Sequence, residues 1–183
     1  MRSIAENVRR IIALGFVAGL VITLGAWTVL AVSARSVSHV AATARRTFVY
    51  TIMNPGGPNA IAAYEANDET GELVFLGTYA TGGLGTGRLV DSQSPLIANP
   101  EGTLLFAVNP GSDDISAMAI RADGSLALIN SPISSRGVEP ASLTLRNNLL
   151  YVANKGDAVN PPTYAGFRVE ADGSLARIKR RIV

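Results

Sequence analysis

Three segments of this chain repeat one pattern, and that repeat restricts the fold more than any single motif does. Each begins with an apolar run that closes on Asn and a Gly-bearing turn: FVYTIMNPGG at 48–57, LLFAVNPGS at 104–112 and LLYVANKGD at 149–157. The closing residues Asn54, Asn109 and Asn154 are 55 and 45 residues apart. A second apolar run follows each one, AIAAYEAN (60–67), ISAMAIRA (115–122) and YAGFRVEA (164–171). Tight turns with Gly71, Gly124 and Gly173 come next, and two of them are the same tetrapeptide, Asp-Gly-Ser-Leu, at 123–126 and 172–175. Asp-Gly between apolar runs marks a hairpin, because Gly accepts the positive φ that the turn needs. Third strands follow at LVFLGTYA (73–80), LALINSPI (126–133) and LARIKRRI (175–182), and a further short strand precedes the second and third repeats, SPLIAN (94–99) and PASLTL (140–145).

Four strands per unit of about 45–55 residues match a propeller blade. The sequence therefore predicts an all-β body at 45–183, an incomplete β-propeller of about three four-stranded blades near 48–93, 94–139 and 140–183. A leading segment at 1–44 precedes it. Ile11–Val32 is 22 residues without a charge, which as a helix would span about 33 Å, enough to cross a bilayer core. Two readings stand. Ala42-Thr43-Ala44 offers the small-residue pattern of a signal-peptide cleavage site, whereas the length of the apolar run favours an uncleaved membrane anchor. Both place the body outside the cytoplasm, either secreted or periplasmic, or tethered to a membrane and facing outward.

Composition narrows the function. The chain has no cysteine, which excludes a disulfide framework, a thiolate zinc site and a lipid-modified cysteine. A net charge of +2 invites a nucleic-acid reading, but the basic residues sit at the two ends. Residues 1–44 hold Arg2, Arg9, Arg10 and Arg35 against Glu6, and Arg177, Lys179, Arg180 and Arg181 crowd the other terminus. Between them the body is acidic, so no basic patch for a phosphate backbone is expected.

The run SPLIANPEGTLLFAVNPGSDDISAMAIRADGSL (94–126) resembles a blade of the seven-bladed lactonase family, which includes 6-phosphogluconolactonases and fungal muconate cycloisomerases. YATGGLGTG (79–87) is similar to the first blade of secreted bacterial members. The resemblance covers about 48–176. It implies hydrolysis of a sugar lactone and a small-molecule lactone or carbohydrate-like ligand, with no cofactor. Family members often open the innermost strand with a Pro-Arg-His type sequence. Here the matching residues are Pro140-Ala141-Ser142 and Ser94-Pro95-Leu96. The single histidine, His39, lies in the leading segment, so the body holds neither a His-based triad nor a His-ligated metal. A seven-bladed ring needs about 300–350 residues at this repeat length. Truncation is the favoured expectation for a chain of this length, and a ring assembled from several chains through open blade edges is the other.

If strands a to d run outward from the propeller axis, the b–c and d–a loops share one end, and these are the long, varied ones. Loops on a rigid scaffold commonly carry the binding groups. This end offers Arg88, Asp91, Asp113, Asp114, Arg136, Glu139, Lys155 and Asp157. Glu139 and Arg136, just before an innermost strand, are the candidate catalytic pair. Lactone opening needs a carboxylate to activate water or pass a proton, and a cation beside the developing oxyanion. Asp113-Asp114 is expected as a solvated turn with local Asp-to-backbone hydrogen bonds. The glycine-rich stretch 82–87 lacks the spacing and following helix of a phosphate cradle, and is expected as a flexible loop. Non-catalytic binding of a ligand or partner at this end is the alternative function.

Overall fold

A computed structural model describes residues 46–90 and 92–178. The signal-peptide and anchor readings of Ile11–Val32, His39, Asp91 and the basic residues 179–181 fall outside the described residues. No helix occurs among the described residues, and none of them forms a helix long and apolar enough to cross a membrane.

Among the described residues the body is all-β, with twelve strands in three antiparallel sheets. The first sheet, blade I, has β1 (Thr47–Ile52), β2 (Pro58–Ala66) and β3 (Leu73–Leu84) in that order. Blade II follows as β4 (Leu96–Ala98), β5 (Leu104–Asn109), β6 (Asp114–Ile120) and β7 (Leu126–Leu128), with β8 (Ile133–Ser134) also paired to β6. Blade III is β9 (Pro140–Arg146), β10 (Leu149–Asn154), β11 (Thr163–Val169) and β12 (Leu175–Arg177). The strand expected at 126–133 is thus split in two. Pro132 lies in the gap, where a residue without an N–H cannot continue a ladder.

Burial follows from the stacking of the sheets. In β5 every residue from Leu105 to Asn109 is buried, and β6 is buried from Ile115 to Met118. Alternate side chains of β5 enter different cores. Leu105 and Ala107 join Ile61, Met118 and Leu126 against blade I, with Tyr50, Ile52 and Tyr79 packed on that cluster. Phe106 and Val108 point the other way, into the cluster with Ile115, Leu143, Leu150, Val152 and Phe167 of the II–III seam. A strand covered on both faces reads as a continuous apolar run, and LLFAVN does. β1 and β10 instead alternate in exposure, because among the described residues only one face of each end blade is covered. Fully burying a Phe or Leu side chain contributes about 1.5–3 kcal/mol, so the two seams dominate the stability of the body.

The Asp-Gly-Ser-Leu turns serve these seams. Gly124 and Gly173 have φ of 81° and 83°, a region that strains other residues. They also leave no room for a side chain. A Cβ on Gly124 would overlap the Phe48 ring of blade I, and one on Gly173 would overlap Ile129 and Leu104 of blade II. Asp123 Oδ1 accepts hydrogen bonds from Ser125 N–H (3.0 Å) and Ser125 Oγ–H (2.6 Å), and Asp172 binds Ser174 in the same way at 2.9 and 2.6 Å. These bonds, led by the hydroxyl, hold both carboxylates below their ordinary pKa.

Candidate functional site

The site-bearing end is organised by the three Asn residues that close the repeated strands. Asn54, Asn109 and Asn154 are all buried. Asn54 holds the 82–90 segment: its Oδ1 accepts the Thr86 N–H (3.0 Å), and its Nδ2 donates to Arg88 O (2.6 Å). Asn109 lies at the centre of a polar cluster between blades I and II. Its Oδ1 accepts from Asn59 Nδ2 at 2.9 Å and lies 2.7 Å from the Thr81 hydroxyl. Its Nδ2 donates to Asp114 Oδ1 (2.6 Å) and Ser116 Oγ (2.7 Å), and Ser116 Oγ–H donates to Thr81 O (2.8 Å). Asn154 Nδ2 pins the 135–139 loop by donating to Ser135 O (3.2 Å).

Buried polar groups need such partners, since an unmade hydrogen bond costs about 1–3 kcal/mol. Asn154 Oδ1 has none among the described residues. Asn59 and Asp114 occupy equivalent positions, five residues after Asn54 and Asn109, and an ionised carboxylate cannot donate as the Asn59 amide does. Burial raises the pKa of Asp114 above its ordinary value, against hydrogen bonds from Asn109 and Ser112 that lower it.

The glycine-rich stretch is packed into this framework. β3 continues through Gly82 and Gly83 to Leu84. A Cβ on Gly83 would overlap the Asn109 side chain, and one on Gly85 would overlap the backbone of Asn54 and Pro55. Close approach accounts for these glycines, where the sequence suggested a flexible loop. Gly137 repeats the arrangement in the next blade, set against Asn154 and Thr163.

Glu139 closes the 135–139 loop immediately before β9. Its carboxylate is 20% exposed and pairs with Lys155 Nζ at 3.3 Å and Arg88 Nη2 at 3.7 Å. These cations come from a blade III loop and the segment linking blades I and II, so all three blades contribute to the cluster. Arg136 lies three residues away in the same loop with φ 67°, its backbone N–H donating to Ser134 Oγ at 3.2 Å. Among the described residues, the ion pairs of Glu139 run to Lys155 and Arg88 rather than to Arg136. Asp113 departs from the expected locally bonded turn. Its Oδ1 accepts the Glu139 N–H at 2.7 Å, across 26 residues. Asp157 does form a local turn, accepting the Val159 and Asn160 N–H groups at 2.9 and 2.7 Å.

Beside Glu139 and Lys155 lies a small cleft walled by Thr86, Leu89, Val90, Pro110, Pro140 and Ala141. Its interior of about 10 Å³ has room for about one water molecule. A larger depression of about 400 Å³ opens among Asn99, Glu101, Phe106, Asn147 and Glu170, at the end carrying the short hairpin turns. Among the described residues its charged lining is two carboxylates without a cation, a poor match to a developing oxyanion.

Sheets of successive antiparallel strands, stacked face to face and joined by Gly-tight turns, define the class: a run of β-propeller blades. The chain shares this fold with three solved structures. One is the periplasmic gluconolactonase of Pseudomonas aeruginosa, at 20% identity and TM-score 0.56, covering 74% of this chain and 36% of that one. Another is a Bacteroides fragilis protein described as a candidate 6-phosphogluconolactonase, at 24% identity and TM-score 0.56, covering 74% and 35%. The third is a Lactobacillus plantarum protein, at 20% identity and TM-score 0.57, covering 74% and 41%. The chain thus spans well under half the length of these structures. No protein-family model and no curated protein matches the sequence.

Proposed function

We propose that the protein is a lactonase-like hydrolase of sugar lactones acting outside the cytoplasm, with its site at the Glu139 end of the II–III seam. The observation that carries this reading is the carboxylate of Glu139, held between two cations on different loops at the edge of a small cleft. Glu139 would activate water or pass a proton to the leaving alkoxide. Arg136, with Lys155 and Arg88, would stabilise the oxyanion that forms on the lactone carbonyl. The two lactonase names among the solved structures support the substrate class, and the periplasmic one supports the compartment. The described residues supply a framework and these charges, and the activity belongs to the protein as a whole.

Purified full chain should hydrolyse a member of a panel of free and phosphorylated sugar lactones faster than the spontaneous rate in a pH-stat. Glu139→Gln and Arg136→Ala should each lower the rate by about a hundredfold or more, in the range for a positioned acid/base and a charge-stabilising group. A rate equal to the spontaneous one throughout the panel would overturn the reading. A non-catalytic binding module is the second reading, favoured because the ion pairs of Glu139 already satisfy its charge. Ligand binding without turnover would support it.

A further inference from the structure

The 135–139 loop is held in a costly conformation. Arg136 and Glu139 have φ of 67° and 55°, and Asp113, which contacts the loop, has φ 56°. Left-handed backbone is strained at a residue other than Gly, so neighbouring groups must fix it in place. Two sets of hydrogen bonds do so. From blade III, Lys155 N–H donates to Glu139 O and Gly156 N–H to Val138 O, each at 2.9 Å. From the other side Asp113 acts twice: its backbone O accepts the Ser135 N–H at 2.8 Å, and its carboxylate accepts the Glu139 N–H at 2.7 Å. A hydrogen bond to an ionised acceptor is about twice as strong as a neutral one.

We propose that Asp113 is a positioning residue: its carboxylate fixes the Glu139 backbone so that the Glu139 side chain stands between Lys155 and Arg88 at the cleft. The repeat indicates that this clamp is more than blade architecture. Strand pairing places Asp113 one residue before Asp114, the partner of Asn109. The equivalent residues, one before Asn59 and one before Thr163, are Pro58 and Pro162. Neither has a carboxylate, so the blades fold without one there, and it occurs where the adjoining loop carries Glu139. The chemical purpose of the clamp rests on the lactone-opening reading, while the clamp itself does not.

The test compares Asp113→Gly with Asp113→Asn in the full chain. Gly tolerates the left-handed backbone and removes the acceptor, whereas Asn tolerates it and keeps an acceptor oxygen. Two readouts are taken: hydrogen exchange at the Glu139 amide, and kcat and KM on a hydrolysed lactone. Asp113→Gly should speed exchange by about tenfold, the equivalent of one lost hydrogen bond. It should lower kcat by on the order of a hundredfold with KM retained, as for a misplaced reacting group. Asp113→Asn should restore most of both. Exchange in Asp113→Gly equal to wild type, or no rescue by Asn, would overturn the proposal. If wild type hydrolyses no lactone the functional reading fails, and the exchange comparison alone then decides whether Asp113 holds Glu139.

Discussion

The II–III seam and the outward face of blade I use the same strand chemistry to different ends. At the seam, Phe106, Leu143, Leu150, Val152 and Phe167 are fully or almost fully buried, and the Gly173 turn closes directly on Leu104 and Ile129. On blade I, Val49, Tyr64 and Phe75 are cross-strand neighbours on the face turned from blade II. Val49 remains 38% and Phe75 57% exposed, and nothing among the described residues stands within 4 Å of a Cβ built on Gly71. Blade I also has three strands among the described residues, lacking a counterpart to β4 and β9. A glycine at this turn is therefore a packing device only where another sheet meets it. At Gly71 only its positive φ of 74° remains as a requirement.

This contrast predicts a graded series. Phe167→Ala should cost most, about 3–5 kcal/mol as a large-to-small change in a closed core, read from the denaturant midpoint. Gly124→Ala and Gly173→Ala should each cost about 2–4 kcal/mol, combining left-handed strain with overpacking. Gly71→Ala should cost only about 1 kcal/mol, the strain alone. Equal losses at Gly71 and Gly124 would break the comparison and show that something covers blade I. Phe75→Ser should cost at most about 1 kcal/mol, the loss of its cross-strand ring contact with Tyr64.

A smaller, pH-dependent effect is expected at Asp114. Its folded pKa is raised, so as pH rises the unfolded chain ionises first and binds fewer protons than the folded one. Stability then falls as pH climbs from the ordinary carboxylate value of 3.8 through the raised folded value. Asp114→Asn keeps an acceptor for Asn109 and removes this loss. It also brings an amide donor to the position from which Asn59 serves Asn109. The variant should melt above wild type at neutral pH, with the advantage shrinking as pH falls from the raised folded value toward 3.8. An advantage that grows on acidification would contradict the assignment.

Much of this fold is legible in the sequence because its contacts are local or periodic. The Asn-closed strands, the Asp-Gly-Ser-Leu hairpins and the doubly buried run LLFAVN all follow from spacing and residue type. The site was less legible because its partners are distant in sequence. Glu139 and Arg136 are neighbours in the chain, whereas the ion pairs of Glu139 join it to Lys155 and to Arg88 across two loops. Asp113 read as an ordinary turn acid, since nothing local shows that its carboxylate reaches Glu139. The roles of Asn59 and Thr81 depend on Asn109, 50 and 28 residues away. The glycines at 82–87 signalled freedom in sequence and proved to be points of close packing.

The most direct test of the account is where a lactone binds. Glu139→Gln, which should bind without rapid turnover, can be titrated with the hydrolysed lactone while backbone amide shifts are followed by NMR. Shifts should concentrate at Thr86, Leu89, Ala141 and Lys155, around the cleft at the Asn-closed strand ends. Shifts centred on Asn99, Asn147 and Glu170 at the opposite end would contradict it.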